Sequence, residues 1–196
     1  MPGAVILAAK AALRSGAGLV TVVTRVEHVP AVAAACPETL VYGSTNGDLP
    51  DLQVEKISVV AIGPGLGRDA WAHRLFIQAV ALDRPMVLDA DALNLVAEKK
   101  LRLALPHIIT PHPGEAARLL SIDTSAVQND RFSSIRQLYE QQAGVVVLKG
   151  SGTLVYDGEH LGVCPYGNPA MAVAGMGDVL TGVIAAFIAQ GMDLAQ

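Results

Sequence analysis

One short segment near the carboxyl end of the chain combines the residue types that phosphate chemistry needs. Gly175 and Gly177 flank Met176, and Asp178 follows directly, at the predicted start of an apolar helix. Glycine lets a backbone approach an anion closely, and the free N–H groups of a helix N-terminus attract a phosphate. Asp178 could then exchange a proton with a group beside that phosphate. The alternative is that Asp178 only caps the helix.

A second candidate site lies in the run Lys149-Gly150-Ser151-Gly152-Thr153, directly after a predicted strand. It offers a cation, two flexible glycines and two hydroxyl groups, which could hold the phosphate or the ribose of a nucleotide. The run is not a P-loop, because that motif places Gly-Lys-Ser/Thr after four spacer residues. The alternative is a tight glycine turn that leads into a hairpin.

A third candidate is His112, in a loop that follows another predicted strand. Pro111 and Pro113 flank it and stiffen the loop, so the imidazole is expected to project in a defined direction and contact a ligand. Glu115 falls in the first turn of the next helix, where the helix dipole favours a carboxylate in any case. Glu115 is also a candidate ligand for a water bound to magnesium.

Two further strand ends carry candidate groups. Gly63, Gly65 and Gly67 lack the GxGxxG spacing, so a nicotinamide-binding Rossmann motif is not indicated and only a close backbone approach to a ligand is expected. Asp89 and Asp91 follow the next strand and could bind a metal or work as an acid–base pair. We expect instead that Asp91 caps the following helix.

These segments separate short β-branched runs and helical stretches that alternate along the chain. Predicted strands are 19–24, 58–62, 85–89, 107–110 and 145–149, with a hairpin of 153–156 and 161–164, and predicted helices are 4–14, 29–36, 69–82, 92–98, 114–120, 130–142 and 178–189. Residues 37–53, rich in Pro, Gly, Asn and Asp, are predicted to form mostly a loop. The alternation predicts an α/β fold, with a mostly parallel sheet covered by helices on both faces. Ligands of such sheets bind beyond the carboxyl ends of the strands, where the candidate groups lie.

Composition excludes several classes of function. Apolar residues make up 52% of the 196 residues and charged residues 16%, which excludes an intrinsically disordered chain. The net charge is −4 and the basic residues are scattered, so nucleic acid is not an expected partner. No continuous apolar run approaches the ~18 residues of a membrane helix, so a membrane is not expected either. Cys36 and Cys164 match no metal spacing and are expected to be reduced and buried, as in a cytoplasmic protein.

Six stretches of the chain, in order, resemble one family, the ADP- or ATP-dependent NAD(P)H-hydrate dehydratases. They are GAVILAAKAALRSGAGLVTVVT, AIGPGLGR, VLDADALN, ITPHPGEAARLL, VVLKGSGTLVYDG and GNPAMAVAGMGDVLTGVIAAFIAQG, and they run from residue 3 to residue 191. The resemblance implies a ribokinase-like fold, a three-layer αβα sandwich with a mostly parallel central sheet. Residues 1–196 are then expected to form a single domain of this kind.

The resemblance also implies a repair reaction. Water is removed from (S)-NAD(P)H-hydrate to restore NAD(P)H, while ADP (or ATP) is consumed as co-substrate and Mg2+ is expected to assist. Phosphorylation of the ring hydroxyl makes it a good leaving group, and Asp178 is the implied catalytic base. The implied nucleotide contacts are Lys149, Gly150, Ser151, Gly152, Thr153, Gly175 and Gly177. The implied contacts to the hydrated cofactor are Ala4, Gly65, His112 and Asp178.

The chain departs from the family in three respects. Met176 stands where the family usually has threonine, although both glycines and the aspartate are present. The family has further sequence before Met1 and after Gln196, so the domain is expected to be incomplete at both ends, and the epimerase half that often precedes it is not in this chain. A homo-oligomer, such as a tetramer, is expected. Two alternatives stay open: a ribokinase-like kinase of a small vitamin-precursor alcohol, and a truncated, non-catalytic nucleotide-binding fragment.

Overall fold

The computed structural model describes residues 1–104 and 106–195; Gln196, the last residue of the predicted domain, lies outside them, as does Leu105. The helices are α1 (Pro2–Arg14), α2 (Val29–Ala35), α3 (Ala70–Val80), α4 (Ala90–Lys99), α5 (Pro113–Leu120), α6 (Thr124–Asn129), α7 (Arg131–Gln142) and α8 (Met176–Ala189). The strands are β1 (Thr21–Arg25), β2 (Leu40–Ser44), β3 (Val60–Ile62), β4 (Met86–Leu88), β5 (His107–Ile109), β6 (Val145–Leu148), β7 (Leu154–Tyr156) and β8 (Leu161–Val163). Of the helices in these two ranges, none combines the length and the apolar character that crossing a membrane requires.

The main sheet has the strand order β3-β4-β5-β6-β7-β8. Strands β3 to β6 are parallel, and the register places Val60 opposite Met86 and Met86 opposite His107. Strands β7 and β8 are antiparallel and form the predicted hairpin. Each crossover helix returns the chain to the same end of the sheet, which makes successive strands parallel. The prediction of a mostly parallel sheet is confirmed.

A second, smaller sheet consists of β1 and β2, which are parallel, with Thr21 opposite Leu40 and Arg25 opposite Ser44. Strand β2 lies within residues 37–53, so the prediction of mostly loop was wrong for residues 40–44. The turn-forming residues around β2 favour the prediction of a loop. The strand forms because α2 brings this segment alongside β1, a partner that is distant in sequence. A cavity of about 600 Å³ lies between β1 and β3 and is lined by residues of both strands.

The two faces of the main sheet bury different helices, because successive side chains of a strand point to opposite faces. One face packs against α3, α4, α5 and α7, with a fully buried set that includes Phe76, Met86, Leu88, Leu93, Ile109, Ile135 and Leu138. The opposite face packs against α8 through Ile108, Val145, Val147, Ile184 and Ile188. Helix α1 lies on α8, where the Ala8 carbonyl occupies the space a Cβ at Gly182 would need. The sheet therefore lies between two helical layers, as predicted.

Both cysteines are free thiols, but only one of them is buried. Cys36 packs with Val22 and Val32 beneath α2, which confirms the prediction for that residue. Cys164 is exposed, so the prediction of a second buried thiol was wrong. The physical reason is its place directly after β8, the outermost strand of the main sheet, where side chains are largely uncovered.

Candidate functional site

The glycine segment before α8 forms the N-terminus of a 14-residue helix. Gly175 is the N-cap, with φ +93°, a left-handed conformation that glycine adopts without strain. Leu7 of α1 closes the space behind it, since an added Cβ would lie 2.5 Å from Leu7 Cδ1. Asp178 is the third residue of the helix and makes no cap bond, so the alternative that it is the N-cap was wrong. Its carboxylate is therefore available for other chemistry.

Asp178 is half-buried in a setting that suits a proton acceptor. Burial raises the pKa of its carboxyl above the ordinary value, the nearby Asp89 carboxylate raises that pKa further, and the Lys149 ammonium partly opposes both effects. A general base works best when its pKa lies near the operating pH. The raised pKa moves Asp178 in that direction, so it can take a proton from a hydroxyl group beside the helix N-terminus.

A buried ion pair lies next to Gly177. Lys149 Nζ is 2.6 Å from Asp89 Oδ1, and the Thr181 hydroxyl donates to Asp89 Oδ2 at 3.1 Å. A Cβ added at Gly177 would lie 3.2 Å from Asp89 Oδ2 and 3.3 Å from Lys149 Nζ. Asp89, which is 1% exposed, thus links the end of β4 to the end of β6 and to α8. Lys149 and Gly177, both predicted to contact the nucleotide, are neighbours.

The Asp89 and Asp91 carboxylates make hydrogen bonds that the sequence did not predict. Asp91 Oδ2 accepts a hydrogen bond from the Gly67 amide at 2.8 Å instead of capping α4, so that prediction was wrong. Asp89 occupies the N-cap position of α4, but its side chain makes no cap bond because it pairs with Lys149. The sequence analysis named Asp89 as a possible metal ligand or acid–base group, but it did not predict the pairing with Lys149. The available signal was a carboxylate directly after a strand that is apolar at every position.

Gly63 allows β3 to approach Asp89, and this contact predicts a strong substitution effect. Gly63 has φ +129°, and an added Cβ would overlap the backbone carbonyl oxygen of Asp89. Gly63→Ala is expected to lower the free energy of unfolding by about 3 kcal/mol, measured by urea denaturation. Gly67→Ala is the matched control, because Gly67 has φ +84° but its nearest neighbour would lie 3.9 Å away. The control should cost only about 1–2 kcal/mol, and equal losses would contradict the role of the Asp89 contact.

His112 is the N-cap of α5 and forms a capping box with Glu115. Its Nδ1 accepts from the Gly114 amide at 3.0 Å, and its own amide donates to Glu115 Oε2 at 2.8 Å. Glu115 Oε2 also lies 3.7 Å from Lys149 Nζ, and the Lys149 amide donates to the Pro111 carbonyl at 2.9 Å. The loop that carries His112 and the run that starts at Lys149 are thus joined. The half-exposed imidazole lies at their edge, where its Nε2 is 3.3 Å from Glu115 Oε1, so a ligand that bonds to this nitrogen competes with Glu115.

The acidic groups of the site could hold a divalent cation only together with other ligands. Within the described ranges, no three His, Cys, Asp or Glu side chains are grouped as a metal site. Lys149 already neutralises Asp89, whereas Glu115 keeps lone pairs that could accept from a metal-bound water. Mg2+ typically keeps several waters and binds one or two carboxylates plus substrate phosphates. The chemistry of these residues is compatible with a Mg2+ that arrives with a nucleotide, and the role of Glu115 stays a prediction.

The run from Lys149 to Thr153 makes a sharp turn between β6 and β7. Gly150 and Gly152 have φ +144° and φ +66°, and the Thr153 hydroxyl donates to the Gly150 carbonyl at 2.9 Å. Arg131, the first residue of α7, donates to backbone carbonyls of this turn. Sequence reasoning missed Arg131, because it begins an amphipathic helix and no local motif marks it. The turn is thus built by a side chain 20 positions away in sequence.

Ala4 and Gly65 also lie together. A Cβ added at Gly65 would be 3.2 Å from Ala4 Cβ, and the Met1 ammonium donates to the Gly65 carbonyl at 2.7 Å. Ala4 precedes Leu7 by about one turn of α1, and Leu7 packs against Gly175. Helix α1 thus connects this pair to the start of α8. His112 is connected to the start of the same helix through Glu115 and Lys149, which lies beside Gly177.

Comparison with known proteins gives a consistent match. A family model described as NAD(P)H-hydrate dehydratase matches residues 1–196. A bifunctional NAD(P)H-hydrate repair enzyme of Coxiella burnetii is 50% identical over 100% of this chain, which covers 40% of that protein. An ADP-dependent (S)-NAD(P)H-hydrate dehydratase of Streptococcus thermophilus is 38% identical over 96% of the chain and 69% of its own length. The chain thus spans about two fifths of the bifunctional relative.

A solved structure matches the fold closely. It is the ADP/ATP-dependent NAD(P)H-hydrate dehydratase from Bacillus subtilis, co-crystallised with ATP and Mg2+ and soaked with CoA. The two structures superpose with a TM-score of 0.86 at 32% sequence identity, covering 98% of this chain and 72% of the other. The layers and the strand ends described above are therefore shared with a protein of that activity.

Proposed function

Because this chain belongs to the NAD(P)H-hydrate dehydratase family, we propose that it catalyses the ADP-dependent dehydration of (S)-NAD(P)H-hydrate to NAD(P)H. One observation carries the proposal. The half-buried Asp178 carboxylate, with its raised pKa, lies in the first turn of α8, beside the Lys149–Asp89 pair. This supports a role for Asp178 as a proton acceptor beside the proposed phosphate site. Relatives named as ADP-dependent dehydratase and as repair enzyme support the choice of substrates.

The geometry fits phosphoryl transfer followed by elimination. Asp178 accepts the proton of the ring hydroxyl, whose oxygen attacks the terminal phosphorus of ADP and releases AMP. The free amides at the start of α8 stabilise the negative charge on the transferred group. The phosphate ester then leaves the ring as inorganic phosphate, and loss of a proton from the adjacent carbon restores the double bond of NAD(P)H. The balance is hydrate plus ADP giving NAD(P)H, AMP, phosphate and a proton.

The remaining groups divide between the two substrates. We assign the nucleotide to Lys149, Gly150, Ser151, Gly152, Thr153, Gly175 and Gly177, and the hydrate to Ala4, Gly65, His112 and Asp178. The position of Lys149 supports this assignment. A Cβ added at Gly177 would lie 3.3 Å from its ammonium nitrogen, so the run that starts at Lys149 and the start of α8 are adjacent. Mg2+, held through water by Glu115, would supply charge neutralisation on the phosphates. Transfer from ADP or from ATP is compatible with these contacts.

A direct assay tests the function. Purified protein supplied with hydrated NADH and ADP is expected to regenerate the absorbance of NADH and to release AMP and phosphate in equal amounts. Phosphorylation of a pyrimidine or thiazole alcohol instead would replace the proposal with a kinase of a small vitamin-precursor alcohol. A rise in melting temperature with ADP or ATP but no turnover would favour the non-catalytic nucleotide-binding fragment, and no rise with either nucleotide would overturn the proposed function.

We propose further that the protein acts in the cytoplasm as a homo-oligomer, such as a tetramer. The two free thiols suit a reducing compartment. Exposed apolar side chains, among them Tyr166, Met171 and Val173, suit burial against further copies of the chain. Light scattering coupled to gel filtration measures the mass in solution. A monomer at micromolar concentration would contradict the assembly without affecting the proposed reaction.

A further inference from the structure

Arg131 holds the loop formed by residues 149–153 from one side. Its Nη1 donates to the Ser151 carbonyl at 2.6 Å and to the Gly152 carbonyl at 3.0 Å. Its Nη2 donates to the Leu148 carbonyl at 2.9 Å and contacts the Lys149 carbonyl at 3.4 Å. One guanidinium therefore binds four backbone carbonyls between residues 148 and 152. The planar fork of arginine allows this arrangement, and a lysine cannot reproduce it.

The charge of Arg131 is not cancelled by a carboxylate. All its hydrogen-bond partners are neutral carbonyls, and none of the salt bridges among the described residues involves it, whereas Lys149 is paired with Asp89. Burial lowers the pKa of the guanidinium, but arginine stays charged at any physiological pH. The loop of residues 149–153 is thus backed by a full positive charge that is partly shielded from water.

The contacts of Arg131 also set the direction of the loop amides. In a planar trans peptide, the carbonyl of one residue and the N–H of the next point in opposite directions. Carbonyls of Lys149, Ser151 and Gly152 that face Arg131 therefore turn the amides of Gly150, Gly152 and Thr153 away from it. Those three amides donate no hydrogen bond within residues 1–104 and 106–195. The amides of Gly152 and Thr153 are adjacent and that of Gly150 is close by, and outward amides beside glycines of positive φ are an arrangement that can bind an anion.

We propose that Arg131 is a positioning residue of the nucleotide site. It orients the amides of Gly150, Gly152 and Thr153 toward a phosphate group of a nucleoside phosphate, and its charge adds to the attraction. The identity of that ligand rests on the proposed function, whereas the amide geometry does not. Arg131 touches neither substrate itself and acts through the loop.

Two substitutions test this role, with nucleotide affinity as the readout. Arg131→Met is expected to raise the Kd for ADP about 10- to 100-fold in calorimetry, because the loop loses charged hydrogen bonds. Arg131→Lys keeps the charge without the fork, and its Kd should rise about 3- to 10-fold. The KM for hydrated NADH should change less than about 2-fold in both variants. A merely structural role would instead reduce the active fraction and leave the Kd of folded molecules unchanged.

Arg136→Met is the matched control, because Arg136 is an exposed arginine of the same helix whose Nη1 contacts only the Phe132 carbonyl of that helix. Its Kd for ADP should equal that of the wild type. An unchanged Kd in Arg131→Met, or in Arg131→Lys if the first variant does not fold, overturns the inference and leaves the proposed function intact. ADP binding that depends on Arg131 without recovery of NADH overturns the function and leaves the inference. A wild-type protein that binds neither ADP nor ATP overturns both.

Discussion

Asp178→Asn is expected to lower kcat about 10²- to 10⁴-fold while the Kd for ADP changes less than about 3-fold. Asparagine has nearly the same shape but cannot accept the proton of the ring hydroxyl. The backbone amides of α8 and the loop of residues 149–153 do not depend on that side chain, so nucleotide binding should persist. Single-turnover assays of NADH recovery and calorimetry with ADP measure the two quantities separately.

The same variant makes a prediction about stability, and its sign follows from the raised pKa of Asp178. Because the carboxyl binds its proton more tightly in the folded than in the unfolded protein, stability falls as pH rises through the raised pKa. At neutral pH the ionised Asp178 therefore opposes folding. Asp178→Asn should keep or slightly raise the Tm at neutral pH, and this difference from the wild type should vanish in acid.

Asp123→Asn is the control for that variant, since Asp123 is an exposed N-cap residue of α6 without a side-chain cap bond. Both its activity and its Tm should match the wild type. If Asp178→Asn instead lost ADP binding and stability together, Asp178 would be a structural residue of the helix start. The pH profile of kcat/KM provides a further check. On its acid side, activity should fall as pH drops below the raised pKa of Asp178, because the protonated carboxyl cannot accept a proton.

Lys149→Met is expected to have the second large effect, on stability as well as on activity. The substitution leaves the Asp89 carboxylate, 1% exposed, with the Thr181 hydroxyl as its remaining side-chain donor. Breaking a buried ion pair by removing one partner typically costs about 3–5 kcal/mol; because Lys149 is partly exposed, we expect about 3 kcal/mol. Turnover should fall about 100-fold or more, because a cation is lost from the phosphate site. Urea denaturation and the NADH assay measure the two losses.

A double variant separates the structural and chemical parts of that effect. Lys149→Met combined with Asp89→Asn removes the uncompensated charge, so most of the lost stability should return while activity stays low. Lys99→Met, which removes an exposed lysine from the last turn of α4, should change stability by less than about 0.5 kcal/mol. No recovery in the double variant would mean that the Lys149–Asp89 pair does not govern the stability of the site.

Local patterns in the sequence were sufficient to place most helices and the parallel strands of the main sheet, and to identify the family. The apolar strand predicted over residues 145–149 and the hairpin of 153–156 and 161–164 could be placed because their signals lie within a few residues. Strand β2 could not, since it forms by pairing with β1, about 20 positions earlier in the register. Asp91 was assigned a cap for a similar reason: a carboxylate in a first helical turn usually caps, and its partner Gly67 is distant in sequence.

By itself, the sequence determined the order of the strands and helices other than β2 and α6, the family, and the positions of the glycine-rich segments at strand ends. These properties depend on periodicity and on local backbone preferences. The contacts that make a site were decided by the tertiary structure: Lys149 meets Asp89 across 60 positions, and Thr181 meets Asp89 across 92. The physical reason is that the order and register of parallel strands, each connected through a separate helix, bring these side chains to one edge. Arg131 reaches the loop of residues 149–153 in the same way, through the packing of α7 on the sheet.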